Sequence, residues 1–111
     1  MWLGHRVEFE GTIYCSAGHA DNRTHDLELL SACSWPLEEA YSVFWCESGG
    51  DWGAVSNGNW GGLQINEIHA ARVGGDLSLL LVPEINVAVA CAIYEDWGSW
   101  NPWACKPEVT P

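Results

Sequence analysis

Between Leu37 and Ser48 the apolar positions recur at three- and four-residue steps. Leu37, Ala40, Tyr41 and Phe44, followed by Glu47 and Ser48, share one helical face. Gly49 and Gly50 then stop the helix, as glycine does just past a C-terminus. The apolar stripe ends in a carboxylate. In the last turn Glu47 meets the negative end of the helix dipole and a poorly solvating wall, and both favour the protonated acid. No basic residue stands near it in sequence. A carboxylic acid kept neutral near working pH is what a general acid needs, so Glu47 is the lead residue.

The same reading continues along the chain. Val7 to Tyr14 alternates weakly, as a short strand or extended arm would. Residues 26–32 pattern as a short helix, and Trp35-Pro36 breaks the chain before the Leu37–Ser48 helix, with proline in its first turn. After Glu47 comes a glycine- and asparagine-rich loop, with a short hairpin expected around residues 55 to 65. Residues 66–73 read as a helix ended by Gly74-Gly75, and residues 76–81 as another, capped by Asp76 and stopped before Pro83. Glu84 to Asp96 is the longest later helix, with Ile85, Val89, Ala92 and Ile93 inward and Ala88, Ala90 and Ala92 fitting close helix packing. The tail WGSWNPWAC is loop. The fold class expected is mainly α, a small α (α+β) domain over residues 26–111, with residues 1–25 an N-terminal arm of unknown role.

Composition narrows the function. The chain has 111 residues, enough for one domain with a modest core. Its eight tryptophans cannot all be core in so small a protein; packing is the first reading for any one of them, and the alternative for some is a groove where indoles stack on sugar rings or other flat apolar faces. Net charge is −11, from four Lys or Arg against fifteen Asp or Glu, so nucleic acid is not an expected partner. No apolar run is long enough to span a membrane, and no apolar leader segment follows Met1. His19 and His25 with Asp21 and Asp26 lack a tight ligand spacing and read as a solvated loop, so neither a metal nor a cofactor is expected. Five cysteines, Cys15, Cys33, Cys46, Cys91 and Cys105, point to an oxidising compartment and a secreted protein.

At this point the motifs are familiar. The run Glu47-Ser48-Gly49-Gly50, Ser56 nine positions after Glu47, Gly61-Gly62-Leu63-Gln64-Ile65, and Asn86 opening an alanine-rich helix resemble the lytic transglycosylase and goose-type lysozyme group. The Cys46-Glu47 pair, the Gly58-Asn59-Trp60-Gly61-Gly62 run and the tryptophan-rich tail closing at Cys105 are similar to resuscitation-promoting-factor domains. Together they cover about Trp35 to Cys105, most of the chain.

The resemblance implies a lysozyme-like fold, a cell-wall-associated or secreted protein, and cleavage of the β-1,4 bond between N-acetylmuramic acid and N-acetylglucosamine in peptidoglycan glycan strands; a monomer is expected. Glu47 would be the general acid and base. Ser56, Gln64, Trp60, Asn66, His69 and Tyr94 would lie on the substrate side, and Asn86 would support the fold near the site. The family's usual tyrosine motif is replaced here by the WGSWNPW segment, which leaves the surroundings of Glu47 open. The family pattern also implies a Cys46–Cys105 bridge. Closing a loop of about 60 residues, it would contribute roughly 4 kcal/mol. Cys15–Cys33 is the next expected pair, with Cys91 a buried thiol.

Glycosidases normally use two carboxyl groups, and Asp51 is the nearest second one; a lytic transglycosylase needs only Glu47. Hydrolysis and transglycosylation stay open. So do a non-catalytic peptidoglycan- or chitin-binding module and a disulfide-rich interaction domain. The negative charge would repel anionic walls, so activity is expected to be best at mildly acidic pH or in salt that screens the repulsion.

Overall fold

The computed structural model describes residues 6–9, 12–15 and 23–107. Strands β1 (Arg6–Phe9) and β2 (Thr12–Cys15) pair antiparallel, Arg6 opposite Cys15 and Phe9 opposite Thr12. They are followed by helices α1 (Arg23–Leu30) and α2 (Leu37–Ser48). Strands β3 (Val55–Ser56), β4 (Asn59–Trp60) and β5 (Ile65–Asn66) form a small antiparallel sheet in that order. Two 3-10 helices, Glu67–Val73 and Leu77–Leu81, lead into the long helix α3 (Pro83–Trp97). The architecture is a small, largely helical α+β domain.

Helix α2 spans the residues its periodicity marks. Ala40, Val43 and Phe44 are buried, and Leu37, Tyr41, Glu47 and Ser48 are half-buried on the same side. Pro36 sits at the N-cap in an extended conformation rather than in the first turn, and its carbonyl accepts from Ala40. Gly49 ends the helix at φ 66°, where a side chain would be strained, and its N–H returns to the Trp45 carbonyl.

The segment 77–81 begins at its expected cap, Asp76, which accepts from the Ser78 N–H; the segment 67–73 begins one residue later than expected, because Asn66 is its N-cap and accepts from the Ile68 N–H. Both wind as 3-10 rather than α-helix, which suits short runs caught between glycines and a proline. Helix α1 starts at Arg23, so His25 and Asp26 stand on a helix rather than in a solvated loop, and Asp26 is buried. His19 and Asp21 lie outside the described residues. On α3, Ile85, Asn86, Val87, Val89, Ala90 and Ile93 are buried, whereas Ala88 is exposed and Ala92 half-buried. The close-packing alanine is therefore Ala90 alone.

Four buried tryptophans connect the elements. Each indole N–H has a partner: Trp35 donates to the Leu30 carbonyl (2.8 Å), Trp52 to Asp26 Oδ1 (2.8 Å), Trp100 to Glu39 Oε1 (2.9 Å) and Trp103 to the Leu63 carbonyl (2.8 Å). A buried indole N–H left unsatisfied is costly, and each of these four bonds ties two segments together. Trp35, Tyr94 and Trp100 pack as one aromatic cluster, with Trp35 and Trp100 centroids 5.2 Å apart and Tyr94 to Trp100 4.8 Å.

Two disulfides close the fold. Cys46–Cys105 joins α2 to the C-terminal loop. Cys33 pairs with Cys91, not with Cys15, and Cys91 is therefore not a thiol. The expected Cys15–Cys33 bridge is displaced because Cys33, just past α1, lies beside α3 with its Cα 5.7 Å from that of Cys91.

Candidate active-site cleft

A cleft of about 470 Å³ opens where the end of α2, the β4–β5 corner, the 67–73 helix, the end of α3 and the C-terminal loop meet. Glu47, Asn59, Gln64, Asn66, His69 and Trp97 line it, over a floor that includes Ile65, Ile93 and Trp103.

Glu47 is half-buried at the mouth of the last turn of α2. Its Oε2 accepts from the Cys105 N–H at 2.9 Å, and the adjacent Cys46 carries the bridge to Cys105. One covalent bond and one hydrogen bond thus fasten the C-terminal loop against the carboxyl group. Oε1 has no donor among the described residues.

The opposite wall is built by glycine and one asparagine. Asn57 and Gly58, at φ 51° and 77°, make the two-residue turn between β3 and β4. Gly62 lets the corner press on the core: a Cβ there would lie 2.4 Å from Trp52 Cε3 and 2.7 Å from Phe44 Cε1. Asn86, fully buried on α3, holds the corner from below. Its Oδ1 accepts from the Leu63 N–H (2.9 Å), and its Nδ2 donates to the Trp60 and Leu80 carbonyls (3.0 Å each). With Trp103 on the Leu63 carbonyl, both backbone polar groups of Leu63 are taken.

Gln64 follows at φ 48°, a left-handed conformation that costs a non-glycine residue on the order of 1 kcal/mol or more. Its Nε2 holds the strain by donating to the Gly61 (2.9 Å) and Ala54 (3.1 Å) carbonyls. Oε1 remains as an acceptor. Asn66 spans the strands, donating to Asn59 Oδ1 (3.0 Å), so the Asn59 amide N–H groups remain as donors. His69 Nδ1 accepts from Arg72 Nε (3.3 Å), and Arg72 Nη2 pairs with Asp96 (2.8 Å). Accepting at Nδ1 puts the proton of the neutral ring on Nε2, a second donor. Burial, and then the neighbouring Arg72 charge, hold the His69 pKa below its ordinary value. The cleft thus offers separate donors and acceptors, and no Lys or Arg lines it among the described residues.

Glu47, Gln64, Asn66 and His69 come together here. The other sequence-marked residues do not line the cleft. Ser56 is exposed on β3. Trp60 is half-buried against the core, its own Nε1 buried and without a partner. Tyr94 belongs to the aromatic cluster with Trp35 and Trp100. Asp51 turns back on its own loop, where Oδ1 accepts from the Gly53 N–H at 2.8 Å. Asn59 and Trp97 were not marked. Trp97 stands four residues after Ile93 on one α3 face and is 60% exposed, which is unusual for an indole and signals a contact surface.

No family model, curated protein or solved structure matches the chain.

Proposed function

We propose that this protein cleaves peptidoglycan glycan strands at the β-1,4 bond between N-acetylmuramic acid and N-acetylglucosamine, on a lysozyme-like fold, with Glu47 as general acid and then base. The observation that carries this reading is that Glu47 is the only carboxylate among the described residues lining the cleft, set between amide groups and an exposed indole. A sugar ring stacked on Trp97, with its hydroxyl and acetamido groups on Asn59, Gln64 and His69, would bring the glycosidic oxygen to Glu47.

One carboxylate favours lytic transglycosylation over hydrolysis. Glu47 gives its proton to the glycosidic oxygen as the C1–O4 bond breaks. It then takes the proton of the C6 hydroxyl as O6 bonds to C1, leaving a 1,6-anhydromuramyl end. No water is consumed and the acid is regenerated, so neither a second carboxylate nor a cofactor is required.

A second reading has its own observation. The Cys105 N–H bond makes Glu47 an anchor for the C-terminal loop, which a non-catalytic peptidoglycan- or chitin-binding module would also need. Glu47→Gln separates the two, because glutamine keeps an acceptor for the Cys105 N–H and loses the transferable proton. Catalysis predicts a folded variant that still binds glycan strands and releases no soluble fragments from walls that the parent solubilises. A binding module predicts equal binding and no release by either protein.

A further inference from the structure

A second, larger cavity of about 570 Å³ lies away from the cleft, between α1 and α3. Helix α3 gives it Glu84, Val87, Ala88, Cys91, Ala92 and Glu95, three- and four-residue steps along one face. The cleft uses Ile93 and Trp97, on the opposite face of the same helix. Helix α1 and the turn after it supply Glu28, Leu29 and Ala32 at matching steps, with His25 at one end. The Cys33–Cys91 bridge ties the two walls together.

The chemistry of this groove is specific. Its floor is apolar and low, with Ala32, Ala88 and Ala92 allowing close backbone approach beside Leu29 and Val87. Its rim is acidic. Glu84 and Glu95 stand eleven residues apart, about 16 Å along the helix, or three turns, and Glu28 faces them from α1. No Lys or Arg lines it among the described residues. A chain carrying −11 overall would repel a second copy of itself at such a rim, whereas cations are drawn to it.

We infer that the α1–α3 groove is a docking site for a basic amphipathic helix of a partner protein. Three turns of that helix lay an apolar stripe on the alanine floor and set Lys or Arg side chains against Glu28, Glu84 and Glu95. The inference is independent of what the Glu47 cleft does.

The test uses the whole protein and a fluorescein-labelled leucine–lysine peptide of about four helical turns, followed by fluorescence anisotropy at low and at physiological salt. Glu84→Gln/Glu95→Gln should weaken binding at least about tenfold. Glu38→Gln/Glu67→Gln, the same charge change away from the groove, should alter it by less than about twofold. Ala88→Glu, at an exposed helical position, should abolish binding although it adds negative charge, because it fills the floor. Equal weakening by the two double variants, or undiminished binding to Ala88→Glu, would reduce the interaction to general charge attraction and overturn the inference. So would failure of the peptide to bind, with or without self-association of the protein on sedimentation.

Discussion

Asn86→Ala is the most informative structural perturbation, because one buried side chain satisfies three backbone groups, two at the β4–β5 corner and one in the 77–81 helix. Removing it leaves the Leu63 N–H and the Trp60 and Leu80 carbonyls without their partner inside the core. A buried polar group stranded in this way costs about 1–3 kcal/mol. Water entering the small void recovers part of that, so the three together should cost about 3–5 kcal/mol. A domain of this size is stable by roughly 5–15 kcal/mol, so the variant should fold but melt well below the parent. Urea titration followed by far-ultraviolet circular dichroism reads the loss directly. Glycan binding should fall as well, since the bonds lost hold the corner that carries Gln64. A loss below about 1 kcal/mol at an unchanged m-value would refute the claim that Asn86 holds that corner.

Three further outcomes follow from other parts of the structure. Replacing Cys46 and Cys105 together with serine opens a loop spanning 59 residues and should cost roughly 4 kcal/mol, read as a fall in Tm; an unchanged Tm would deny the bridge its role. Gly62→Ala should destabilise by about 1–3 kcal/mol, because its Cβ would press on the Trp52 and Phe44 rings; a neutral result would mean that the corner is loosely packed. For His69, burial and then the Arg72 charge disfavour the imidazolium, so its NMR titration midpoint should lie below the ordinary 6.5. The unfolded chain then takes up that proton first, so the His69 contribution to stability is intact above the ordinary midpoint and is lost as pH falls through the lowered one. Arg72→Ala should move the midpoint part of the way up; a midpoint at or above 6.5 in the parent would contradict the assigned environment.

Local signals made much of this fold readable from the residues. Periodicity and a double glycine marked α2, Asp76 announced the cap of the second short helix, and the glycine- and asparagine-rich run pointed to a hairpin around residues 55 to 65. Gln64, Asn66 and His69, which the resemblance places on the substrate side, line the cleft because the β4–β5 corner folds their stretch towards the end of α2. What the sequence hid depends on distant partners. Cys33 finds Cys91 through the packing of α1 on α3, which no spacing encodes. Tyr94 looked like a cleft residue, but Trp35 and Trp100 enclose it. Asp51 looked like a second acid, but a bond two residues along its own loop turns it away, a local preference of aspartate that was open to prediction. Trp97 carries no local pattern that separates it from the other tryptophans, and its 60% exposure comes from its place at the end of α3.

The most direct test of the Glu47 reading is mass spectrometry of purified peptidoglycan digested by the parent protein and by Glu47→Gln. Fragments ending in 1,6-anhydromuramyl groups from the parent, and none from the variant, are expected from a single-acid cleft. Ordinary reducing ends would contradict the single-acid route and require a positioned water and a second carboxylate. Identical digests from both proteins, or no soluble fragments from either, would contradict catalysis by Glu47 altogether.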